Sequence, residues 1–184
     1  MKELIEAALR AEEFRLHPLG FFYLQDFTGE DATRRIHVWI CGGLSPAENE
    51  CHQHSFDIES IMIAGRMRSD IFGFAEDSGG PLTEYMVAYE GSASKLSPSG
   101  RRGQLFPIVS FETFAGMSYR LEAGAIHRVT VIERPCITML TTMERHIPIF
   151  SYGKHEEAAF DRRRCTEDEA VKIRMNLMQA TINK

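Results

Sequence analysis

The feature that most constrains the fold is a series of short apolar segments that runs through the middle of the chain. From Phe21 to Met143, runs rich in β-branched and aromatic residues alternate with clusters of Gly, Pro, Asn and Asp. Such spacing is typical of an all-β sandwich or barrel. We predict strands over 21–27, 34–41, 55–64, 66–74, 83–89, 104–113, 116–122, 126–132 and 136–143. The polar segment 91–103 is predicted to be a loop.

The two ends of the chain have a helical pattern instead. An N-terminal helix is predicted over about 2–14, and its apolar face consists of Leu4, Ile5, Ala8 and Leu9. A second helix is predicted over about 166–182, because Thr166 and Glu169 have the spacing of a capping box. Its apolar stripe is predicted to pack in the core or in a dimer, and consists of Val171, Met175, Met178 and Ile182.

Length and composition limit the class of protein. A chain of 184 residues favours a single domain over 1–184, and 43% hydrophobic residues exclude a disordered or collagen-like chain. The net charge of -5 argues against a surface that binds nucleic acid. No apolar run approaches the roughly 20 residues of a membrane span, and the N-terminus lacks the apolar core of a signal peptide. We therefore expect a cytoplasmic protein that binds neither nucleic acid nor membrane.

Three of the seven histidines lie in a pattern that suits metal binding. His52 and His54 are two residues apart, so in a strand both side chains point to the same face. A tight turn over 122–125 brings His127 to the start of a later strand. Two imidazoles from one strand, with a third histidine and a carboxylate, suit iron, manganese, nickel, zinc or copper.

These two segments resemble the two motifs of the cupin superfamily. The matching residues are His52, His54, Glu59 and Gly65 in the first motif and Gly116, Gly124 and His127 in the second. The resemblance covers about residues 35–143. It implies a jelly-roll β-barrel, over about 21–145, with short helices at both ends. It also implies a metal ion held inside the barrel by His52, His54, His127 and Glu59.

Strand alternation does not by itself select the carboxylate ligand. Strict alternation from His54 points Ile58 inward and Glu59 outward, so Glu59 reaches the metal only if a β-bulge reverses the alternation. Two other arrangements remain open. Water can complete a site of two or three histidines, or Asp57 or a more distant acid can replace Glu59.

The resemblance favours a mononuclear metalloenzyme that acts on a small organic molecule. Dioxygenase-like chemistry on Fe(II) is preferred, with zinc, nickel or manganese as other metals, and we expect a homodimer. Isomerase, decarboxylase or lyase chemistry remains open. One alternative is a non-catalytic cupin that binds a small molecule or serves assembly. Another is a metal-free epimerase, with a histidine base and an acid among Tyr85, Tyr89 and Tyr119.

Two further groups of residues could belong to this site or lie outside it. Arg66 and Arg68 share one strand face, where they either bind an acidic substrate or lie outside as solubilising residues. The remaining histidines are predicted to have no role in the site, and they are His17, His37, His146 and His155.

Overall fold

The computed structural model describes residues 2–10, 13–27, 31–41, 51–154 and 159–182. Within these ranges the helices are α1 (Lys2–Arg10) and α2 (Glu167–Ile182). The strands are β1 (Arg15–Leu16), β2 (Phe22–Phe27), β3 (Ala32–Trp39), β4 (Cys51–His52), β5 (Phe56–Glu76), β6 (Leu82–Glu90), β7 (Ala93–Phe114), β8 (Ser118–Leu121), β9 (Ile126–Glu144), β10 (Phe150–Gly153) and β11 (Ala159–Asp161). No described helix has the length and apolar character needed to cross a membrane.

The antiparallel pairings close six strands into a barrel. β9 pairs with β5, β5 with β7, β7 with β6, β6 with β10, β10 with β4, and β4 again with β9. β3 pairs with β9 on the edge opposite β5, and β2 and β1 follow beyond β3. The architecture confirms the predicted all-β jelly-roll with a helix at each end.

β5 is one long bulged strand, although two strands, 55–64 and 66–74, were expected there. Its pairing with β9 shifts register three times between Met62 and Met67. Gly65 lies within these shifts with φ at 78°. A Cβ at Gly65 would collide with the backbone oxygens of Glu133 and Pro135, so only glycine fits the bend.

The prediction of a loop over 91–103 is wrong. β7 begins at Ala93 and pairs with β6 through a two-residue turn that contains Gly91. Gly91 has a φ of 64°, which such tight hairpin turns require, and this turn sets the pairing of Glu90 with Ala93. A polar composition therefore does not prevent strand pairing here, because most of the segment is exposed or only partly buried.

The two helices pack against the outer face of β3. Ile36 and Val38 are fully buried there. The helix residues of this core are Ile5 and Ala8 in α1 and Ile173, Leu177 and Ala180 in α2. Val171, Met175 and Met178 are instead exposed, so the described part of the predicted apolar stripe does not pack in the core. Its role in a dimer stays a prediction. The side chains of Leu4 and Ile182 lie outside the described residues.

Candidate metal centre

The structure brings the three predicted histidines together inside the barrel. His52 ends β4 and pairs across the sheet with His127 at the start of β9, and His54 follows two residues later. The ring centroids are 4.4 Å apart for His52 and His127, 4.7 Å for His52 and His54, and 5.0 Å for His54 and His127. One nitrogen from each ring lies within 4.8 Å of the other two.

A turn before β9 joins the two histidine segments. The backbone N–H of Ala125 donates to the carbonyl of Glu122 at 3.2 Å, as the predicted turn requires. The N–H of Gly124 donates to the carbonyl of His54 at 2.9 Å, with Gly124 at a φ of 80°. This hydrogen bond sets the distance between His54 and the start of β9, and therefore the position of His127.

His54 and His127 are neutral, and His127 is oriented for coordination. Nδ1 of His127 lies 3.0 Å from the carbonyl of Ala125, to which it donates, so Nε2 keeps its lone pair for a metal. Burial and the neighbouring His52 lower the pKa of His127 to about 3. Burial also holds the pKa of His54 well below its ordinary value. Both imidazoles are therefore unprotonated near neutral pH, as ligands must be.

Glu59 does not join this cluster. Its side chain is exposed, whereas Ile58 is buried and lines the barrel cavity. The reason is that the register of β5 first shifts after Met62, too late to turn Glu59 inward. The structure therefore keeps the strict alternation from His54 and corrects the expectation of a bulge at Glu59.

Asp57 does not replace Glu59 either. Its carboxylate accepts hydrogen bonds from Arg145 Nη2 at 2.6 Å and from the N–H of Ala123 at 2.9 Å. These bonds, the one from Arg145 foremost, lower the pKa of Asp57 to about 2. Within the described ranges, three histidines form the cluster and no carboxylate joins them.

A divalent metal fits this donor set. An imidazole nitrogen binds an ion such as zinc at about 2.0–2.1 Å, so three ligands of one ion lie within a few ångström of one another. His52, His54 and His127 meet that condition. Three neutral ligands leave the full charge of the ion uncompensated and leave coordination positions open.

A cavity of about 480 Å³ opens beside the triad. Its wall is rich in rings, which come from Phe21, Tyr23, Trp39, Phe56, Tyr89 and Tyr119. The volume suits a small organic molecule. Phe56 stacks on His54 with ring centroids 4.6 Å apart, so it also limits the rotation of that ligand.

Comparison with known proteins gives matches at the level of solved structures. No family model matches the chain, and no curated protein matches it. An oxalate decarboxylase from Lactobacillus farciminis, in a formate complex, matches with a TM-score of 0.42 and 17% identity over 74% of this chain and 32% of that one. The Bacillus subtilis enzyme at pH 4.6 matches with a TM-score of 0.43 and 12% identity over 82% and 30%.

A third structure, of a Bacillus subtilis oxalate decarboxylase described by its Mn(II) centres, gives a TM-score of 0.42 and 11% identity over 74% and 28%. The chain spans less than a third of the length of these proteins. Its own closed barrel and histidine triad meet the expectation from the sequence. The fold therefore agrees with the jelly-roll barrel that the resemblance implied.

His17 and His37, which were predicted to have no role in the site, also line the cavity. His17 and His37 stack on opposite sides of the Phe21 side chain, each with ring centroids 4.3 Å apart. Burial lowers the pKa of both well below the ordinary value. Alternation along β3 was the available signal, since Arg35, His37 and Trp39 share one face. His155 lies outside the described residues.

Arg66 and Arg68 lie on the outside of the barrel. Arg66 Nε donates to Glu112 at 2.8 Å, and Arg68 Nε lies 3.2 Å from Asp70. Both side chains are about half exposed. This confirms the interpretation as outward residues and excludes them from the cavity, whose guanidinium groups come from Arg35 and Arg162.

A buried polar network holds the segment between His52 and His54. Gln53 Nε2 donates to the carbonyl of Pro148 at 3.1 Å, and the Tyr152 hydroxyl lies 3.2 Å from Gln53 Oε1 and 3.3 Å from Glu84 Oε1. Arg101 donates to the same Glu84 carboxylate at 3.0 Å. Because β4 is only two residues long, we expect these side-chain bonds to help position the histidines.

Proposed function

We propose that the protein is a mononuclear metal-dependent enzyme that acts on a small organic molecule, with dioxygenase-like chemistry. The observation that supports this proposal is the cluster of three histidines, which faces a cavity of about 480 Å³. A structural metal would not need such a cavity, and three protein ligands with an open position are typical of catalytic sites.

His52, His54 and His127 would hold the ion, with Fe(II) preferred and zinc, nickel or manganese as the other candidates. Imidazole nitrogens suit each of these metals. When bound, a redox-active ion supplies open coordination positions for dioxygen and an organic substrate. The chain itself contributes the orientation of the ligands, through the carbonyl of Ala125 and the ring of Phe56.

The apolar wall around the triad has its own function in this proposal. Phe56, Ile58 and Leu140 form one buried cluster and line the cavity. They would exclude water from the reacting groups, which strengthens the electrostatic interactions of a bound substrate. Glu59 takes no part, because it lies on the opposite face of β5.

Metal analysis of untagged protein tests the metal site. We expect close to one equivalent of a transition metal, or one equivalent of Fe(II) taken up anaerobically by chelator-treated protein. A His52→Ala/His54→Ala double variant should lose at least about a thousandfold in affinity, because each lost ligand costs several kcal/mol. His146→Ala is the matched control, since this histidine is exposed beside Asp31. Wild-type protein that binds no metal in either experiment would refute the proposal.

Oxygen consumption tests the reaction class. Fe(II)-loaded protein is incubated with a panel of small organic acids and thiols, and zinc-loaded protein serves as the control. Uptake of dioxygen with iron alone supports dioxygenase-like chemistry. Substrate turnover without uptake of dioxygen would instead indicate an isomerase, decarboxylase or lyase.

One observation favours a second candidate, a metal-free epimerase. Tyr89 and Tyr119 line the same cavity as the histidines, whereas Tyr85 does not. Burial raises the pKa of Tyr119, which keeps its hydroxyl protonated as an acid would require. Turnover that survives complete removal of metal, and that Tyr119→Phe abolishes, would support this candidate over the metalloenzyme.

A further inference from the structure

Arg35 is a cation inside the cavity, and no carboxylate of the described residues forms a salt bridge with it. It lies on the face of β3 that lines the cavity. Its Nε donates to Thr33 Oγ1 at 3.3 Å, and its guanidinium carbon lies 4.7 Å from the centre of the Phe56 ring. Neither the hydroxyl nor the ring neutralises the positive charge.

Glu144 is the acid among the residues that line the cavity, and it acts on Arg35 through its charge and not through a described hydrogen bond. Its Oε1 accepts from the backbone N–H groups of Arg145 at 3.1 Å and His146 at 2.9 Å. Arg162 adds a second guanidinium, 4.9 Å from the centre of the Tyr89 ring. Burial lowers the pKa of Arg35, yet an arginine stays charged at any ordinary pH. The cavity therefore carries an excess of positive charge.

The wall near Arg35 consists mainly of flat rings. Phe56 touches Arg35 on one side and stacks on His54, so the guanidinium and the triad lie on neighbouring parts of one cavity. The stack of His17, Phe21 and His37 adds three nearly parallel rings. Such a surface favours a flat, apolar ligand, because aromatic contacts add to the energy of buried area.

We propose that the cavity binds an aromatic carboxylic acid, with its carboxylate on Arg35 and its ring against this aromatic wall. A guanidinium recognises a carboxylate through paired N–H donors, which a neutral group of the same shape cannot replace. The inference deepens the proposed function and rests on it for the reaction. Binding of the acid to Arg35 does not require the metal.

The single tryptophan of the chain provides the readout. Trp39 lines the cavity, so its fluorescence reports occupancy. Benzoate, benzamide and acetate are titrated into chelator-treated wild-type protein. Benzoate should change the fluorescence saturably, and benzamide, which has the shape without the charge, should bind at least about tenfold more weakly. Acetate, which lacks the ring, should also bind more weakly. Equal affinity for benzoate and benzamide would overturn the inference.

Variants of Arg35 then test whether this side chain binds the carboxylate. Arg35→Gln should weaken benzoate binding at least about tenfold and leave benzamide binding unchanged, whereas Arg35→Lys should retain part of the benzoate affinity. Arg66→Gln is the matched control, because that arginine lies outside the barrel. Unchanged benzoate affinity in Arg35→Gln would refute the role of Arg35. If thermal unfolding shows that Arg35→Gln is unfolded, the comparison of probes on wild-type protein decides.

Repeating the titration after Fe(II) loading separates this inference from the proposed function. Protein that binds no metal but discriminates benzoate from benzamide through Arg35 would refute the metalloenzyme alone. Protein that binds one metal ion on its histidines but shows no discrimination would refute the acid-binding cavity alone.

Discussion

β3 and β5 both pair with β9, yet they place their polar residues on opposite faces. Along β5, Ile58 is buried in the barrel and Glu59 is exposed outside. Along β3 the order is reversed, because Arg35 lines the cavity and Ile36 is fully buried on the outer face. The same alternation of polar and apolar residues therefore points the polar residues outward in β5 and inward in β3.

The helices account for the difference. α1 and α2 cover the outer face of β3, which must then be apolar, and this leaves the inner face free to carry polar groups. Ile63 of β5 also belongs to this core, but Asp57 and Glu59, nearer the start of β5, lie outside it among arginines. A charged residue in a strand indicates a solvent-exposed face only where no other element covers that face. The sequence of the strand alone does not show whether the face is covered.

The largest expected effect comes from the covered face of β3. Ile36→Ala should lower the free energy of unfolding by about 2–5 kcal/mol, because the side chain is fully buried between sheet and helices. Ile61→Ala, on the outer face of β5 and 36% exposed, is the control and should cost less than about 1 kcal/mol. Chemical denaturation measures both. Similar losses would mean that the two outer faces do not differ as described.

A smaller effect is expected behind the histidines of β4. Tyr152→Phe removes the hydroxyl that lies between Gln53 and Glu84, and should weaken metal binding roughly tenfold, because groups behind the ligands commonly contribute that much. Tyr85→Phe serves as the control on the neighbouring strand. Calorimetric titration with Fe(II) or zinc provides the measurement. Unchanged affinity would show that backbone pairing alone positions the histidines.

The helix that covers β3 offers a third test. Thr166 and Glu169 form the predicted capping box, with Glu169 Oε2 accepting from the N–H of Thr166 at 2.8 Å and Thr166 Oγ1 accepting from the N–H of Glu169 at 3.3 Å. Thr166→Ala should lower stability by about 1 kcal/mol without changing metal affinity. Thr166→Ser, which keeps the hydroxyl, should be close to wild type. A change in metal affinity would link α2 to the site and weaken the distinction between the two faces.

The smallest effect is expected at Glu59. Glu59→Gln should leave metal affinity unchanged and alter stability by no more than about 0.5 kcal/mol, because the side chain is exposed. Ile58→Ala, one residue away on the inner face, should destabilise the barrel instead. A clear loss of metal binding in Glu59→Gln would place this carboxylate at the metal and reverse the assignment of faces along β5.

Much of this architecture could be predicted from local patterns. The paired spacing of His52 and His54 and the turn before His127 act over a few residues, so they identify the triad correctly. The capping box at Thr166 is equally local. Features that depend on long-range packing could not be predicted from local sequence patterns. The bend at Gly65 depends on the backbone of β9. The inward direction of Arg35 and His37 depends on α1 and on α2, which lies more than a hundred residues away in the chain.

X-ray absorption on the Fe(II)-loaded protein tests the central claim, a three-histidine metal site without a protein carboxylate, most directly. We expect scattering from three imidazole rings in wild-type protein and the same spectrum in Glu59→Gln. Two imidazoles are expected in His127→Ala. Fewer than three imidazoles in wild-type protein, or a changed spectrum in Glu59→Gln, would contradict this account of the site.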